Sequence, residues 1–523
     1  MATLVSPGVS VTIVDDSFYI PASASTVPLF FIATRADKKQ ADGVTDALGA
    51  KEYGVVRTIT SLNQSVTYYG VPHFREGISG GQHHGDCRNE YGLLALNQAL
   101  TILNTAYVVR ANVDLADSDV TTYSAGVPVL TGTGNGTIGS LTVNQNTAVS
   151  EAWTLTATSS STFSVTGFAS GAQGNATVGV PYNNGIIAFT INNGSTPFVA
   201  GDVFTFNVTS STVSNPLGAN DAAKRLTIVT ALQSQITSNQ DVRSELYEYN
   251  LILCPGYHET VNELIALNQE INDEAFVIAD TPFDKSPEDT AVWGLTVQRY
   301  RSANVGYYYP HGLITNLDGK EVFGAASGIA LKTIAYSDDV SEVWIPPAGL
   351  RRGLVTGVSD VGYVSGTLGT VTKFIPTPLN QGQRDVLYQF MANINIIPFL
   401  PGRGIVVFGQ KTSSPTASAL DRINVVRMLC KIKRDIRKAA AAYLFELNDR
   451  ITRESIRLMI DNYLNDILIR RGLYDYVVVC DESNNTPTRI DRNELWVDIA
   501  LKPAKAVEFI YIPIKVVSTG ADL

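Results

Sequence analysis

Two hydrophobic periods alternate along most of this chain. Apolar side chains recur at helical spacing over residues 91–103, 221–236, 259–272 and 287–299, and each run is followed by a short, β-prone apolar segment, at 106–110, 249–254, 275–279 and 303–309. Parallel strands need long crossover connections, which helices supply, so this alternation predicts an α/β domain with a largely parallel sheet. Between Val120 and Asn220 the period falls to two. In 153–158 and 204–208, aromatic or aliphatic residues alternate with Thr or Asn, and Asn184-Gly185, Asn193-Gly194 and the glycine-rich 132–136 mark turns between such runs. Short alternating strands joined by these turns predict an antiparallel β-sandwich. Helix–strand alternation stops before the segment and resumes after it. The sandwich is therefore expected to be inserted in a connection of the α/β domain, where added loop length costs little.

The last hundred residues read differently. A helix is predicted over about 420–448, with Arg427, Lys431, Arg434 and Lys438 at i, i+4, i+7 and i+11, a single face. Ile423, Val426, Ile432, Ile436, Ala440, Tyr443 and Leu447 fall on the opposite side. Aligned cations repel one another. Acids elsewhere in the protein or an acidic partner would relieve the stripe, and the spacing leaves both open. A second helix, 453–471, is predicted to stop at Arg470-Arg471-Gly472, with glycine in the left-handed cap position. A final strand, 506–517, is apolar on both faces and includes Val507, Phe509, Tyr511 and Ile514; Val9, Val11 and Ile13 form an alternating strand at the other end. Two β-prone ends either pair with each other or add to sheets in neighbouring copies. Pro513 lacks an amide donor, so the last strand has an edge there.

The chain has 523 residues, 45% hydrophobic and 17% charged, enough for three or four domains. A net charge of −10 argues against nonspecific nucleic-acid binding. No basic region followed by an apolar core opens the sequence, and no charge-free run is apolar enough to span a bilayer, so neither a secretory signal nor membrane insertion is expected. Cys87, Cys254, Cys430 and Cys480 are far apart and are expected to be reduced thiols. The segment from 120 to 220 contains only two charged residues, Glu151 and Asp202.

Candidate chemistry is sparse. Ser327 lies in a small-residue turn entering a helix, and with His258 and Asp280 it makes a conceivable nucleophile–base–acid set, but Gly-x-Ser-x-Gly spacing is lacking. His83, His84, Asp86 and Cys87 are too close in sequence to converge on one ion, and no second cluster completes a tetrahedral site. Gly402-Arg403-Gly404 lacks the order of a phosphate-binding loop. No cofactor and no enzymatic activity are expected.

A set of segments in a shared order resembles the contractile tail sheath family of myovirus-type bacteriophages and related injection devices. It comprises 6–13, 107–110, 303–310, 344–349, 351–353, 379–380, 394–398, 404–409, the C-terminal helix pair and 502–510. The resemblance implies an α/β multidomain protein. Its parts would be an N-terminal linking arm at 1–20, a central subtilisin-like α/β domain from 21–118 and 217–385, and an inserted outward antiparallel β-sandwich at 119–216. A C-terminal α/β domain at 386–505 and a C-terminal linking arm at 506–523 would follow. It also implies a structural virion protein, assembled in the host cytoplasm as stacked hexameric rings around a tail tube. The partners would be itself, the tube protein, baseplate and tail terminator proteins. Strand exchange between subunits would use Val9, Val11, Ile13, Val507, Phe509, Tyr511 and Ile514, and Arg427, Lys431, Arg434 and Lys438 are expected to face the tube. The alternative is a serine hydrolase built on Ser327 with an accessory sandwich.

Overall fold

A computed structural model describes residues 26–512, apart from 77–81, 117–120, 145–146, 213–216, 219, 297–299 and 366–372. It divides into two compact units, one formed by Met1–Ala116 with Asn220–Leu523, the other by Asp117–Ala219.

The first unit is built on a seven-stranded sheet. Its strands are β1 (Pro28–Thr34), β2 (Val56–Ile59), β3 (Ala106–Asp114), β4 (Leu251–Leu253), β5 (Phe276–Asp280), β6 (Val305–Tyr309) and β7 (Ile394–Ile396), in the order β2-β3-β1-β4-β5-β6-β7. All neighbours are parallel except β2 and β3. Every residue of β1, β5 and β6 is buried. A parallel sheet covered on both faces requires this, which is why these strands read as apolar runs without alternation. Its helices include α1 (Tyr91–Ala99), α2 (Asp221–Ser238), α3 (Val261–Glu270), α4 (Pro287–Leu295) and α5 (Ala326–Val340). Their starts follow local chemistry. The Asn220 side chain accepts from the Ala223 N–H at 2.9 Å, and Ser286 accepts from the Asp289 N–H at 3.1 Å with Pro287 in the first turn. A four-stranded antiparallel sheet, His311–Thr315, Glu321–Gly324, Val358–Ser365 and Lys373–Pro376, adds to the same core.

Toward the C-terminus come α6 (Ile423–Ala440), α7 (Arg450–Ile469), and the antiparallel pair β8 (Leu473–Val479) and β9 (Asp498–Pro503). Trp344, Met428, Ile432, Ile456, Ile460 and Leu464 form a separate core there. The first helix is shorter than its apolar pattern predicts. It ends at Ala440, passes through one 3-10 turn to Tyr443, and leaves Leu447 77% exposed. The second helix also stops differently. Arg471, not Gly472, takes the left-handed conformation, at φ 67°, and a Cβ on Gly472 would lie 2.5 Å from Ile467. Glycine is needed at 472 for close packing and not for its φ angle.

The second unit holds two antiparallel sheets around one core. The larger runs Ala176–Thr177, Thr162–Gly167, Glu151–Ala157, Val203–Thr212, Thr121–Ala125; the smaller pairs Pro181–Asn183, Ile187–Asn192 and Thr137–Val143. Trp153, Phe163, Phe189, Phe204 and Phe206 point inward between exposed or half-buried polar neighbours. Both acids of this segment serve its loops. Asp202 accepts from the N–H groups of Val199 (2.9 Å), Thr133 (2.7 Å) and Gly134 (3.0 Å), which hold its carboxyl below the usual range. Glu151 accepts from the N–H groups of Ala169 (2.8 Å) and Ser170 (2.9 Å).

Candidate functional site

The hydrolase reading is tested by Ser327. It sits at the start of α5, fully buried, and its hydroxyl donates to Asp280 Oδ2 at 2.8 Å. Asp280, the last residue of β5, also accepts from the N–H groups of Ser327 (2.7 Å) and Gly256 (2.8 Å). Burial pushes its carboxyl up to about 6 despite these three donors. His258 is elsewhere, 3.4 Å from Glu259 and edge-on to Trp293. The nearer imidazole, His311, accepts from the Ala326 N–H through Nδ1 at 3.1 Å, and Nε2 lies 3.3 Å from the Thr281 hydroxyl. Burial lowers His311 to about 3 and His258 to about 4, so both rings are neutral. A hydroxyl donating to a carboxylate, with no imidazole to take its proton, is a structural knot and not a nucleophile. Ser327→Ala is expected to cost about 1.5–3 kcal/mol in denaturant unfolding, the range for a bond to a charged group. A fluorophosphonate probe should leave the native chain unlabelled.

The carboxylate of the His83–Cys87 segment is engaged with neighbours. Asp86 pairs with Arg75 (3.1 Å) and Arg88 (3.0 Å), and burial pushes the Cys87 thiol up to about 12. No group of three or more His, Cys, Asp or Glu residues that could hold a metal occurs among the described residues. All four cysteines are buried free thiols.

The basic stripe requires a correction. Arg427 and Arg434 are buried, not presented to solvent. Arg427 makes a two-pronged contact with Asp338 of α5, with Nη1 donating to Oδ1 at 3.1 Å, and Thr26 donates to the same carboxylate. Arg434 donates to the Tyr249 carbonyl at 3.2 Å. Lys431 pairs with Asp435 at 3.0 Å, and Lys438 with Glu248. Neighbouring Arg437 reaches Glu274 at 2.8 Å. Arg427, Arg434 and Lys438 thus fasten α6 to other elements of its own subunit, while Lys431 pairs with Asp435 within the helix. Helical period reports which side chains share a face, and nothing about what covers it.

The tail has the opposite character. After β9 the Ala504 N–H still donates to the Gly472 carbonyl at 3.0 Å, but no ladder continues through residue 512. One side chain ties this segment down. Glu508 accepts from Arg422 Nε at 2.6 Å and Gln410 Nε2 at 3.0 Å. Around that anchor, Val507, Phe509, Ile510, Tyr511 and Ile512 are 67–87% exposed. Val9, Val11, Ile13 and Ile514 lie outside the described residues. The pair β8–β9 has no third strand among the described residues, so both of its outer edges carry unpaired backbone groups. The sequence pattern did not single out Glu508 and Arg422. An acid in the middle of an apolar strand was the available signal.

The described tail is thus apolar and exposed, and it follows a two-stranded sheet with two open edges. Residues 416–517 match the family description "Phage tail sheath C-terminal domain". The chain is 43% identical over 188 residues to the tail sheath protein of Vibrio phage KVP40, covering 36% of this chain and 26% of that protein. It is 31% identical over 307 residues to that of Enterobacteria phage T4, covering 58% of this chain and 41% of the relative. The matched part therefore spans less than half the length of these curated relatives. Among solved structures, the sheath complex of the extracellular contractile injection system PVC, in its contracted state, aligns with a TM-score of 0.54 at 14% identity, covering 98% of each chain. The contracted helical sheath of the anti-feeding prophage aligns at 0.53 and 17%, covering 98% of this chain and 99% of the other. These two likenesses are of fold: a mixed α/β protein with several sheets. Part of the chain is thus similar to phage tail sheath proteins, the family its sequence resembles.

Proposed function

We propose that this chain is a structural subunit of a contractile tail sheath, a virion component that polymerises around a tail tube and contracts to drive the tube through a host envelope. The observation that carries the reading is the exposed apolar tail, 507–512, next to the open-edged β8–β9 pair within the matched C-terminal segment. In the assembled state a neighbour's arm would add to an open edge of β8–β9, main-chain bonds supplying strength and alternate side chains the register. Residues 1–20 would serve as the second arm. Such links tolerate rigid rotation of subunits, so a lattice joined by them can shorten without coming apart. On this reading the partners are further copies in stacked hexameric rings, the tube, baseplate and tail terminator proteins. The seven-stranded sheet domain would correspond to a central subtilisin-like domain without its catalysis. The tube contact is not assigned to Arg427 or Arg434, which are occupied within the subunit. No helix among the described residues is long and apolar enough to cross a membrane. Negative-stain microscopy of the purified full-length chain is expected to show rings or helical tubes. Monodisperse single particles at every concentration would overturn the proposal.

A further inference from the structure

Two features of the first unit are unexplained by its own packing. The first is a protrusion between α6 and α7. Leu444, Phe445, Leu447 and Ile451 are all exposed, Phe445 completely, and Phe445 is held at φ 71°. A bulky side chain in the left-handed region is strained, and an apolar cluster this exposed marks a contact surface. Glu446 lies among these residues, also exposed.

The second is a cavity of about 200 Å³ between α1 and α5, lined by Leu94, Ile102, Ile329 and Val358 and rimmed by Leu350 and Leu354, which are 51% and 46% exposed. Its polar lining includes Lys332 and Arg351. An apolar cavity of about 150 Å³ holds a benzene ring. One of this size admits a phenyl group. Among the described residues neither Glu446 nor Arg351 has an ion-pair partner.

We propose that the 444–447 protrusion of one subunit seats in the α1–α5 cavity of a second copy, Phe445 filling the apolar interior and Glu446 meeting Arg351 and Lys332 at the mouth. Size, polarity and charge sign agree, and the two surfaces belong to different parts of the same chain. A contact between unlike patches of identical subunits is heterologous, and it propagates into a ring or an open helix instead of closing a dimer. That is the symmetry a sheath lattice needs, and this contact is independent of the strand-adding arms. The inference rests on the reading of the chain as a polymerising subunit.

The test uses the full-length chain, whose four native cysteines are buried. Phe445→Cys and Leu354→Cys are made as separate proteins, mixed, assembled and then oxidised. A covalent heterodimer is expected in the mixture and in neither protein alone. Phe445→Ala, at a fully exposed position where the fold has nothing to lose, is expected to raise the concentration needed for polymerisation at least tenfold with unchanged thermal unfolding. Normal polymers without the mixed cross-link, or unaltered polymerisation of Phe445→Ala, would overturn this contact and leave the sheath reading intact. If the unmodified chain forms no polymer under any condition, the sheath reading fails and the contact with it.

Discussion

Replacing Arg427 with Ala is expected to destabilise the folded chain by about 3–5 kcal/mol, the cost of leaving one member of a buried pair uncompensated. Both side chains of this pair are almost completely buried, 3% exposed for Arg427 and 0% for Asp338. Deleting the cation strands a carboxylate with only the Thr26 hydroxyl beside it. The measurement is urea unfolding of the single variant and of the Arg427→Met/Asp338→Leu double variant. The double variant should recover most of the loss, because removing both charges removes the desolvation penalty as well. A tube-contacting arginine would behave otherwise. Its replacement would leave unfolding unchanged, within about 0.5 kcal/mol as for an ordinary surface site, and alter only assembly around the tube. Unchanged unfolding would restore the docking-stripe reading.

Removing residues 509–523 is expected to abolish polymerisation while leaving unfolding within about 0.5 kcal/mol of the full chain. The cut falls after Glu508, so the anchor to Arg422 and Gln410 is kept, and the described side chains it removes, Phe509, Ile510, Tyr511 and Ile512, are all exposed. Phe509, Ile510, Tyr511 and Ile512 would each gain about 1.5–3 kcal/mol gross when covered, so one junction loses several kcal/mol even after the ordering cost of association. Sedimentation and negative-stain images of the truncated chain are the measurement. Polymers of normal length would sink the strand-adding role of this tail. A truncated chain that unfolds early would show that the segment belongs to its own subunit's core.

Several elements were legible because their causes are local. β5 and β6 are apolar at every position since both faces of a parallel sheet are covered, and their run lengths alone set them apart from the alternating strands of the second unit. Trp153, Leu155 and Ala157 are buried and their neighbours less so, as period two requires. Asn220 and Ser286 start helices with bonds made within three residues. Helix ends were less readable. The apolar spacing of α6 runs on to Tyr443 and Leu447, but the helix ends at Ala440; Tyr443 still packs on the C-terminal core, whereas Leu447 is left exposed. The stop of α7 carries glycine for a neighbour's sake, Ile467, and hands the left-handed conformation to Arg471.

The candidate site divides along the same line. That the tail is apolar on both faces follows from its composition, although its described part, 506–512, forms no strand in the subunit alone. Whether four cations on one helix face outward or inward does not follow from spacing. It depends on Asp338, 89 positions away, and on the Tyr249 carbonyl, 185 positions away. The same holds for the α1–α5 cavity, whose walls come from four separated stretches of chain. By itself the sequence determined the strands and helices of the sheet core, the inserted sandwich's core pattern and the apolar composition of the tail, because each rests on neighbours within a few residues. Only the tertiary structure decided which charges are spent inside the subunit and which surfaces are left for another copy, because burial is set by groups that folding brings together from far apart.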